Sequence, residues 1–578
     1  MELRTKRAFN WIIATIVVLI MAVMVGVFFD YYYDLNDDVL IKDILSGTYS
    51  GIPESRNIQM QFLLSALFSG LYRIMPSLPW YGGFLYLCQY GAVVIIIACT
   101  LKMLNLGRLS RMLVVAIAEG ALLVGIMLPH MVNVQYTITV AFMSAAASVL
   151  IMSNDAADTL TGFLVQNIPV ILIIFVSYLL RSEMLLLMLP FVGLAWVYRF
   201  FEEKNAFSRT RVMQYVSVIA ITLLTIVLGH LSNSVAYSTD GWKGFCELFD
   251  ARTQLYDFEI IPSYEGNEEF YDSIGIDSSS QKLLENYNYG LNPNINGDKI
   301  QAIADYAHAN RKATVNTLDK LKTKVRLYLY EISHGKNSTG SDYPFNVVTG
   351  CLYIWIVVGM INHKRILDLW KLILLVGGRS VIWLYILMGD RAPDRITHSL
   401  YLIEIVLLLG LISQYRTAIG DRVLLGLELG LAIIILVDNI AILEDNQKLR
   451  EEINSDYLAL YEYTNNNANQ LYLMDVYSTV AYSEKMFGPN SNINKSNTEL
   501  MGGWFYGSPA ESMKLRKFGY SSMEEALTNG ALMVMRTDLD GMDDSFITDY
   551  YASQGQDVQL VSLDEISGVF EIYGIQQQ

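Results

Sequence analysis

The sequence predicts an all-α polytopic membrane protein with a small extracytoplasmic α/β domain at its C-terminus. Apolar residues make up 53% of the 578 positions, charged residues only 17%, and the mean hydropathy is +0.33. This composition is too apolar for one water-soluble domain of ordinary type. Mostly apolar runs of about 17–25 residues, the length that spans a bilayer, recur up to position 443. Residues 444–578 are polar and aromatic, which suggests a separate soluble domain.

Hydropathy along the chain predicts eleven membrane-spanning helices. Their predicted positions are 11–29, 80–101, 112–128, 137–152, 162–180, 184–199, 212–229, 346–361, 366–388, 397–414 and 422–443. The transmembrane body is therefore residues 1–443, and it includes two long connections, 30–79 and 230–345. The C-terminal domain is 444–578.

The basic residues of the short connections predict how the chain is oriented. Lys and Arg concentrate in alternate connections, beginning with the N-terminal MELRTKR. The positive-inside rule then places the N-terminus in the cytoplasm. With an odd number of spans, the loops 30–79 and 230–345 and the C-terminal domain are expected outside.

The outer segments also show local patterns. QFLLSALFSGLYRIM at 61–75 predicts a helix lying in the membrane interface, and residues 298–333 predict a helix in the second loop. In the C-terminal domain, QLYLMDVYSTVAYS, ALMVMRTD and DVQLVSLDEI are typical of short strands. Helices between these strands would complete a small α/β unit.

Several function classes lack support in the sequence. The net charge of −16 is concentrated after position 443, which argues against nucleic acid as a partner. The sequence contains no GxxxxGK[ST], HExxH, paired CxxC or GxSxG motif. The four cysteines form neither a disulfide framework nor a metal-binding spacing, so no metal site is predicted.

An acidic and aromatic cluster follows the first span. Asp30 and Asp34 flank three tyrosines, and Asp37 and Asp38 come shortly after them. Such a cluster is most often a solvated exit from the membrane. Its functional interpretation is a carboxylate held at the bilayer surface, where it accepts a proton from a hydroxyl beside a lipid-linked donor.

The order of these features resembles the GT-C class of polytopic glycosyltransferases. NDDVLIKDILSGTYSGIPE, LPWYGGFLY, DARTQLYDF, GDRAPDRI and LMGGWFYGSP are similar to segments of bacterial envelope proteins grouped with that class. The resemblance implies a bacterial cell-membrane location, a polyprenyl-phosphate sugar donor, contact with membrane lipids, and an envelope glycan acceptor. It places Asp37 and Asp38 at the family's catalytic carboxylate position. The chain lacks a WWDYG-type element, which disfavours a peptide acceptor.

The leaving lipid phosphate of such a reaction needs a positive charge at the outer interface. Arg391 and Arg395, four residues apart, and Arg181 are the predicted phosphate-binding residues. A divalent cation could supply the same charge, and the sequence identifies no cofactor. The alternative is local neutralisation, of Arg391 and Arg395 by Asp390 and Asp394 and of Arg181 by Glu183. For Arg181 the pairing with Glu183 is the favoured interpretation.

Two further predictions concern aromatic and intramembrane residues. Trp504 and Tyr33 are the candidates for stacking against a sugar, and the alternative for Trp504 is packing beneath a bend at Gly502 and Gly503. Arg379 and Glu404 lie at similar depths in successive spans. Isolated charges there are costly, which predicts an interhelical ion pair, with a proton or ion path as the alternative.

The leading hypothesis is an inverting membrane glycosyltransferase that moves a sugar from a polyprenyl-phosphate donor to an envelope acceptor on the outer face. The second is a transporter or flippase of lipid-linked glycans. The third is a non-catalytic envelope assembly protein whose acidic domain binds a partner. A closed, one-sided pocket at the outer interface favours transfer, whereas several charges facing a continuous central path favour transport.

Overall fold

The computed structural model of the protein describes residues 2–34, 37–155, 157–314, 317–336, 340–415, 418–488, 493–537 and 545–577. Up to residue 258 the helices are α1 Glu2–Phe29, α2 Asp37–Ser46, α3 Phe62–Ile74, α4 Trp80–Leu104, α5 Leu109–Ile126, α6 Leu128–Val132, α7 Tyr136–Ser153, α8 Leu160–Leu180, α9 Ser182–Glu202, α10 Arg209–Ala236 and α11 Asp240–Phe258. The later helices are α12 Glu268–Ser273, α13 Ser278–Glu285, α14 Gly297–Thr314, α15 Thr317–Ser333, α16 Phe345–Asn362, α17 Leu369–Met388, α18 Asp394–Ile412, α19 Ala418–Asn466, α20 Pro509–Lys517, α21 Met523–Thr528 and α22 Ser545–Ser553. The strands are β1 Tyr32–Tyr33, β2 Asn133–Val134, β3 Tyr472–Met474, β4 Thr498–Leu500, β5 Leu532–Arg536, β6 Val558–Ile566 and β7 Phe570–Gln577.

Eleven helices of the described chain are long and apolar enough to cross a membrane, as predicted. They are α1, α4, α5, α7, α8, α9, α10, α16, α17, α18 and α19. The chain is thus a multi-pass membrane protein. Helices α7 and α18 are the most enclosed, since 89% and 83% of the residues in their apolar stretches are buried. The bundle core therefore forms around them. Helix α19 continues through Asn466 without a break at 443, and it carries the chain from the bundle into the C-terminal region.

The C-terminal region forms a five-stranded mixed sheet with strand order β4-β3-β5-β7-β6. Strand β3 pairs in parallel with β4 and β5, and β7 pairs antiparallel with β5 and β6. The three predicted strands are present as β3, β5 and β6. Strands β4 and β7 were not predicted; β4 has only three residues, too few for an alternating pattern to stand out.

The first loop packs against the C-terminal region through backbone and ionic contacts. Strand β1 pairs with β2, and the Tyr33 amide donates to the Glu484 carbonyl at 3.0 Å. Beside this contact, Lys42 pairs with Asp43 at 2.7 Å and also with Glu484. Lys495 lies 2.8 Å from Asp43 and 3.2 Å from Glu484. These four charged side chains are almost completely buried, so they fix the first loop to the domain.

The predicted intramembrane pair is confirmed. Arg379 Nε lies 3.2 Å from Glu404 Oε2, and both side chains are buried between α17 and α18. The Tyr353 hydroxyl donates to Glu404 at 2.7 Å, and the Arg379 guanidinium lies 4.6 Å from the centre of the Tyr401 ring. The two buried charges thus neutralise each other within the bundle core.

Candidate active site

A large cavity lies where one end of the helical bundle meets the C-terminal domain. Its volume is about 1250 Å³, above the roughly 300–1,000 Å³ usual for one small ligand. The wall is formed by α2, the start of α9, the end of α11, the connection between α17 and α18, and the segments around β3 and β4. Five of the seven predicted site residues line it: Asp37, Arg181, Arg391, Arg395 and Trp504.

Asp37 begins α2 and is half-buried in the cavity wall. The Tyr136 hydroxyl lies 3.4 Å from Asp37 Oδ2 and 3.0 Å from Gln59 Oε1. Arg181 hydrogen-bonds to the same Gln59 oxygen, and its guanidinium lies 5.1 Å from the centre of the Tyr136 ring. A carboxylate and a guanidinium are thus held in one cluster by a tyrosine and a glutamine.

Asp38 is fully buried and does not line the cavity. Its Oδ1 accepts hydrogen bonds from the Tyr81 hydroxyl at 2.7 Å and the Tyr136 amide at 3.1 Å. Burial raises the pKa of this carboxyl well above its usual value. Successive helical residues diverge by about 100°, which explains why only one of the two aspartates faces the cavity.

The predicted phosphate-binding residues differ in their partners. Arg391 pairs with Asp257 of α11 at 2.5 Å, not with Asp390. Asp390 instead pairs with Lys320 at 2.5 Å and Lys324 at 2.7 Å. The alternative that Asp390 neutralises Arg391 is therefore wrong.

The other two predicted phosphate-binding residues are Arg181 and Arg395. The favoured pairing of Arg181 is present, because its Nε lies 3.1 Å from Glu183 Oε2, but Arg181 also contacts Gln59 and Tyr136. Arg395 is half-buried on the first turn of α18 and makes no ion pair with a described carboxylate. It is the cation of the predicted set that is open to an incoming anion.

The side of the cavity nearest the bundle is apolar. Its lining there comes from the start of α9, the end of α17 and the start of α18, namely Met184, Leu187, Ile386, Met388 and Ile396. Tyr385, beside them, is 74% exposed at the end of α17. An apolar wall that leads to a group of arginines fits a ligand with a hydrocarbon tail and an anionic head.

The two predicted aromatic residues lie in different places. Trp504 lines the cavity but is 8% exposed and packs edge-to-face on Phe505, with ring centres 5.5 Å apart. Tyr33 is buried away from the cavity, where its ring stacks 6.2 Å from that of Tyr81. A contact between Tyr33 and a substrate in the cavity does not fit this position.

Sequence reasoning missed several residues of the site. Gln59, Tyr136 and Asp257 organise the predicted acid and arginines, and Arg252 and Tyr477 line the side nearest the C-terminal domain. DARTQLYDF, which contains Arg252 and Asp257, was the one signal that marked part of this set. Among the described residues, no group of three or more His, Cys, Asp and Glu side chains could hold a metal ion.

No protein-family model and no curated protein matches the sequence. Two crystal structures of ArnT from Cupriavidus metallidurans are similar to the chain. With ArnT bound to undecaprenyl phosphate the identity is 10%, 96% of this chain and 97% of that chain are covered, and the TM-score is 0.40. With ArnT in the apo state the identity is 11%, 98% of each chain is covered, and the TM-score is 0.39.

Proposed function

We propose that the protein is an inverting membrane glycosyltransferase that transfers a sugar from a polyprenyl-phosphate donor to an envelope glycan on the outer face. The observation that carries the proposal is the composition of one cavity: Asp37 and three arginines lie beside an apolar wall formed by the ends of spanning helices. The apolar wall can bind a hydrocarbon chain and the arginines its phosphate, and Asp37 supplies a base beside them.

The donor would lie along the apolar wall with its phosphate at Arg391 and Arg395. Two guanidinium groups supply charge-assisted hydrogen bonds to phosphate oxygens. They would also stabilise the charge that develops as the phosphate leaves. Arg181, tied to Gln59 and Tyr136, would place a third positive charge near the reacting carbon.

Asp37 would act as the general base. The acceptor hydroxyl oxygen attacks the anomeric carbon and forms the new glycosidic bond, while the bond from that carbon to the phosphate oxygen breaks. Asp37 takes the hydroxyl proton, and the polyprenyl phosphate leaves with the electron pair. Direct displacement inverts the anomeric configuration.

The placement of charges favours transfer over transport. The cavity lies at one end of the bundle, and the Arg379 and Glu404 charges inside the bundle are paired with each other. Neither residue lines the cavity. This arrangement differs from the row of charges along a central path that a transporter would use.

The test is donor consumption by the purified full-length protein, reconstituted with a panel of polyprenyl-phosphate sugars. We expect one donor to be consumed, and Arg395→Gln to raise its KM by roughly 10–100-fold, the value of a lost charge-assisted contact. Arg326→Gln, an exposed arginine outside the cavity, is the matched control and should leave KM unchanged. Consumption of no donor, together with movement of a lipid-linked glycan across the vesicle membrane, would favour the transporter.

A further inference from the structure

The side of the cavity nearest the C-terminal domain contains an arginine that the donor site does not use. Arg252 of α11 lines this side together with Thr253, Tyr287, Tyr477 and Tyr506. Its guanidinium lies 5.3 Å from the centre of the Tyr287 ring and hydrogen-bonds to the Tyr287 hydroxyl. The aromatic contacts fix the direction of the guanidinium.

The charge of Arg252 is not neutralised by the described part of the chain. No ion pair joins Arg252 to a described carboxylate, including Asp250, which lies in the same cavity wall. The Arg252 Nε and Thr253 Oγ1 are buried, and neither has a hydrogen-bond partner among the described residues. Unsatisfied buried donors are costly, and an anionic ligand would satisfy them.

Beside Arg252, the backbone at Tyr287 and the backbone at Gly502 approach each other closely. Tyr287 has φ of +61°, a conformation that side-chain-bearing residues seldom adopt. A Cβ at Gly502 would lie 2.0 Å from the Tyr287 carbonyl oxygen, so glycine is required there. Strained residues of this kind concentrate at ligand sites.

An open aromatic face completes this side of the cavity. Tyr477 is 58% exposed, and its ring centre lies 5.8 Å from that of Tyr287. Exposed tyrosine rings bind the apolar face of a pyranose, while a neighbouring guanidinium binds an anionic substituent. The two groups together select a charged sugar over a neutral one.

We propose that this side of the cavity binds the acceptor, and that the acceptor is an anionic sugar: a pyranose stacked on Tyr477 whose carboxylate or phosphate is held by Arg252. The acceptor role rests on the proposed function. The binding preference rests on the geometry alone, and it can be measured without a donor.

The test is direct binding of three short oligosaccharides to the purified full-length protein by isothermal titration calorimetry. One is a hexuronate oligomer, one carries phosphate groups, and one is neutral and of equal length. We expect the hexuronate or the phosphorylated sugar to bind about tenfold or more tightly than the neutral one. The better of the two identifies the anionic group.

Variants separate the contributions of charge and stacking. Arg252→Gln should remove the preference, Tyr477→Ala should weaken binding of all three sugars, and Arg326→Gln should change neither. If Arg252→Gln does not fold, Arg252→Lys tests the hydrogen-bonding part of the contact: it keeps the charge and loses the planar donors, so the preference should weaken, and an unchanged preference would overturn the inference. Equal binding of neutral and anionic sugars, binding of none of the three, or a preference that survives in folded Arg252→Gln would overturn the inference.

The same samples distinguish failure of the inference from failure of the proposed function. Selective binding of an anionic sugar by a protein that consumes no donor would overturn the glycosyltransferase proposal and leave the binding site intact. Donor consumption without selective binding would support the glycosyltransferase proposal and overturn the proposed anionic-sugar site.

Discussion

Lys495 Nζ lies 2.8 Å from Asp43 Oδ2, although 452 residues separate the two in the chain. Asp43 belongs to α2, the helix that begins with Asp37, and Lys495 precedes β4 of the C-terminal sheet. Both residues also line the cavity. The position of the proposed base therefore depends on how the C-terminal domain docks on the first loop.

The first prediction is that Asp43→Asn destabilises this docking. Removing one partner of a buried ion pair leaves an uncompensated charge and costs roughly 3–5 kcal/mol. Thermal unfolding of the detergent-purified protein should show a clearly lower midpoint. Lys282→Gln is the control, because it breaks a half-exposed pair with Asp549 of similar length, 2.8 Å, and should cost at most about 1 kcal/mol. Equal midpoints for the two variants would contradict the structural role of Asp43.

The second prediction concerns pH. Burial alone would raise the pKa of Asp43, but Lys42 and Lys495 outweigh it and hold that pKa at about 2, below its ordinary 3.8. A carboxyl whose folded pKa is depressed contributes stability above its unfolded pKa and loses it as the pH falls through the folded value. The gap in unfolding midpoint between wild type and Asp43→Asn should be full above pH 4 and close toward pH 2. A gap that widens on acidification would contradict the assignment.

The third prediction concerns the role of Asp38 in stabilising the fold. Asp38→Asn keeps an oxygen for Tyr81 and the Tyr136 amide, and it removes a charge that burial disfavours, since burial raises the pKa of Asp38. We expect this variant to lose less than about 1 kcal/mol of stability, whereas Asp38→Ala leaves two buried donors unsatisfied at about 1–3 kcal/mol each. The two unfolding midpoints, measured side by side, check this. Equal losses in the two variants would mean that the hydrogen bonds to Asp38 contribute little.

The fourth prediction concerns orientation. In a cysteine-free variant, single cysteines at Ser278 and Ser562 should react with an impermeant thiol reagent in intact cells, because both exposed sites belong to the segments expected outside. A cysteine at Ser110, an exposed position on the first turn of α5 at the opposite end of the bundle, should react only after lysis. The reverse pattern would invert the predicted topology.

The eleven spans could be predicted because each depends on local composition. The prediction of Asp37 rests on the resemblance of the first loop to the GT-C class, and that of the three arginines on the charge that a leaving phosphate needs. The partners of these four residues could not be predicted. Arg391 pairs with Asp257, more than a hundred positions away, and Lys42 meets Glu484 across most of the chain. Tyr33 was predicted to stack against a sugar. It is buried because β1 pairs with β2 and so places its ring against Tyr81.

The most direct test of the account is the turnover of Asp37→Asn with a donor that the wild type consumes. Loss of a general base lowers turnover by roughly 10²–10⁴-fold, and because Asp37 is proposed to act on the acceptor proton, the donor KM should change little. Asp549→Asn, an exposed aspartate outside the cavity, is the matched control and should retain wild-type turnover. Full activity in folded Asp37→Asn would contradict the proposed mechanism, since turnover would then not need the proposed base.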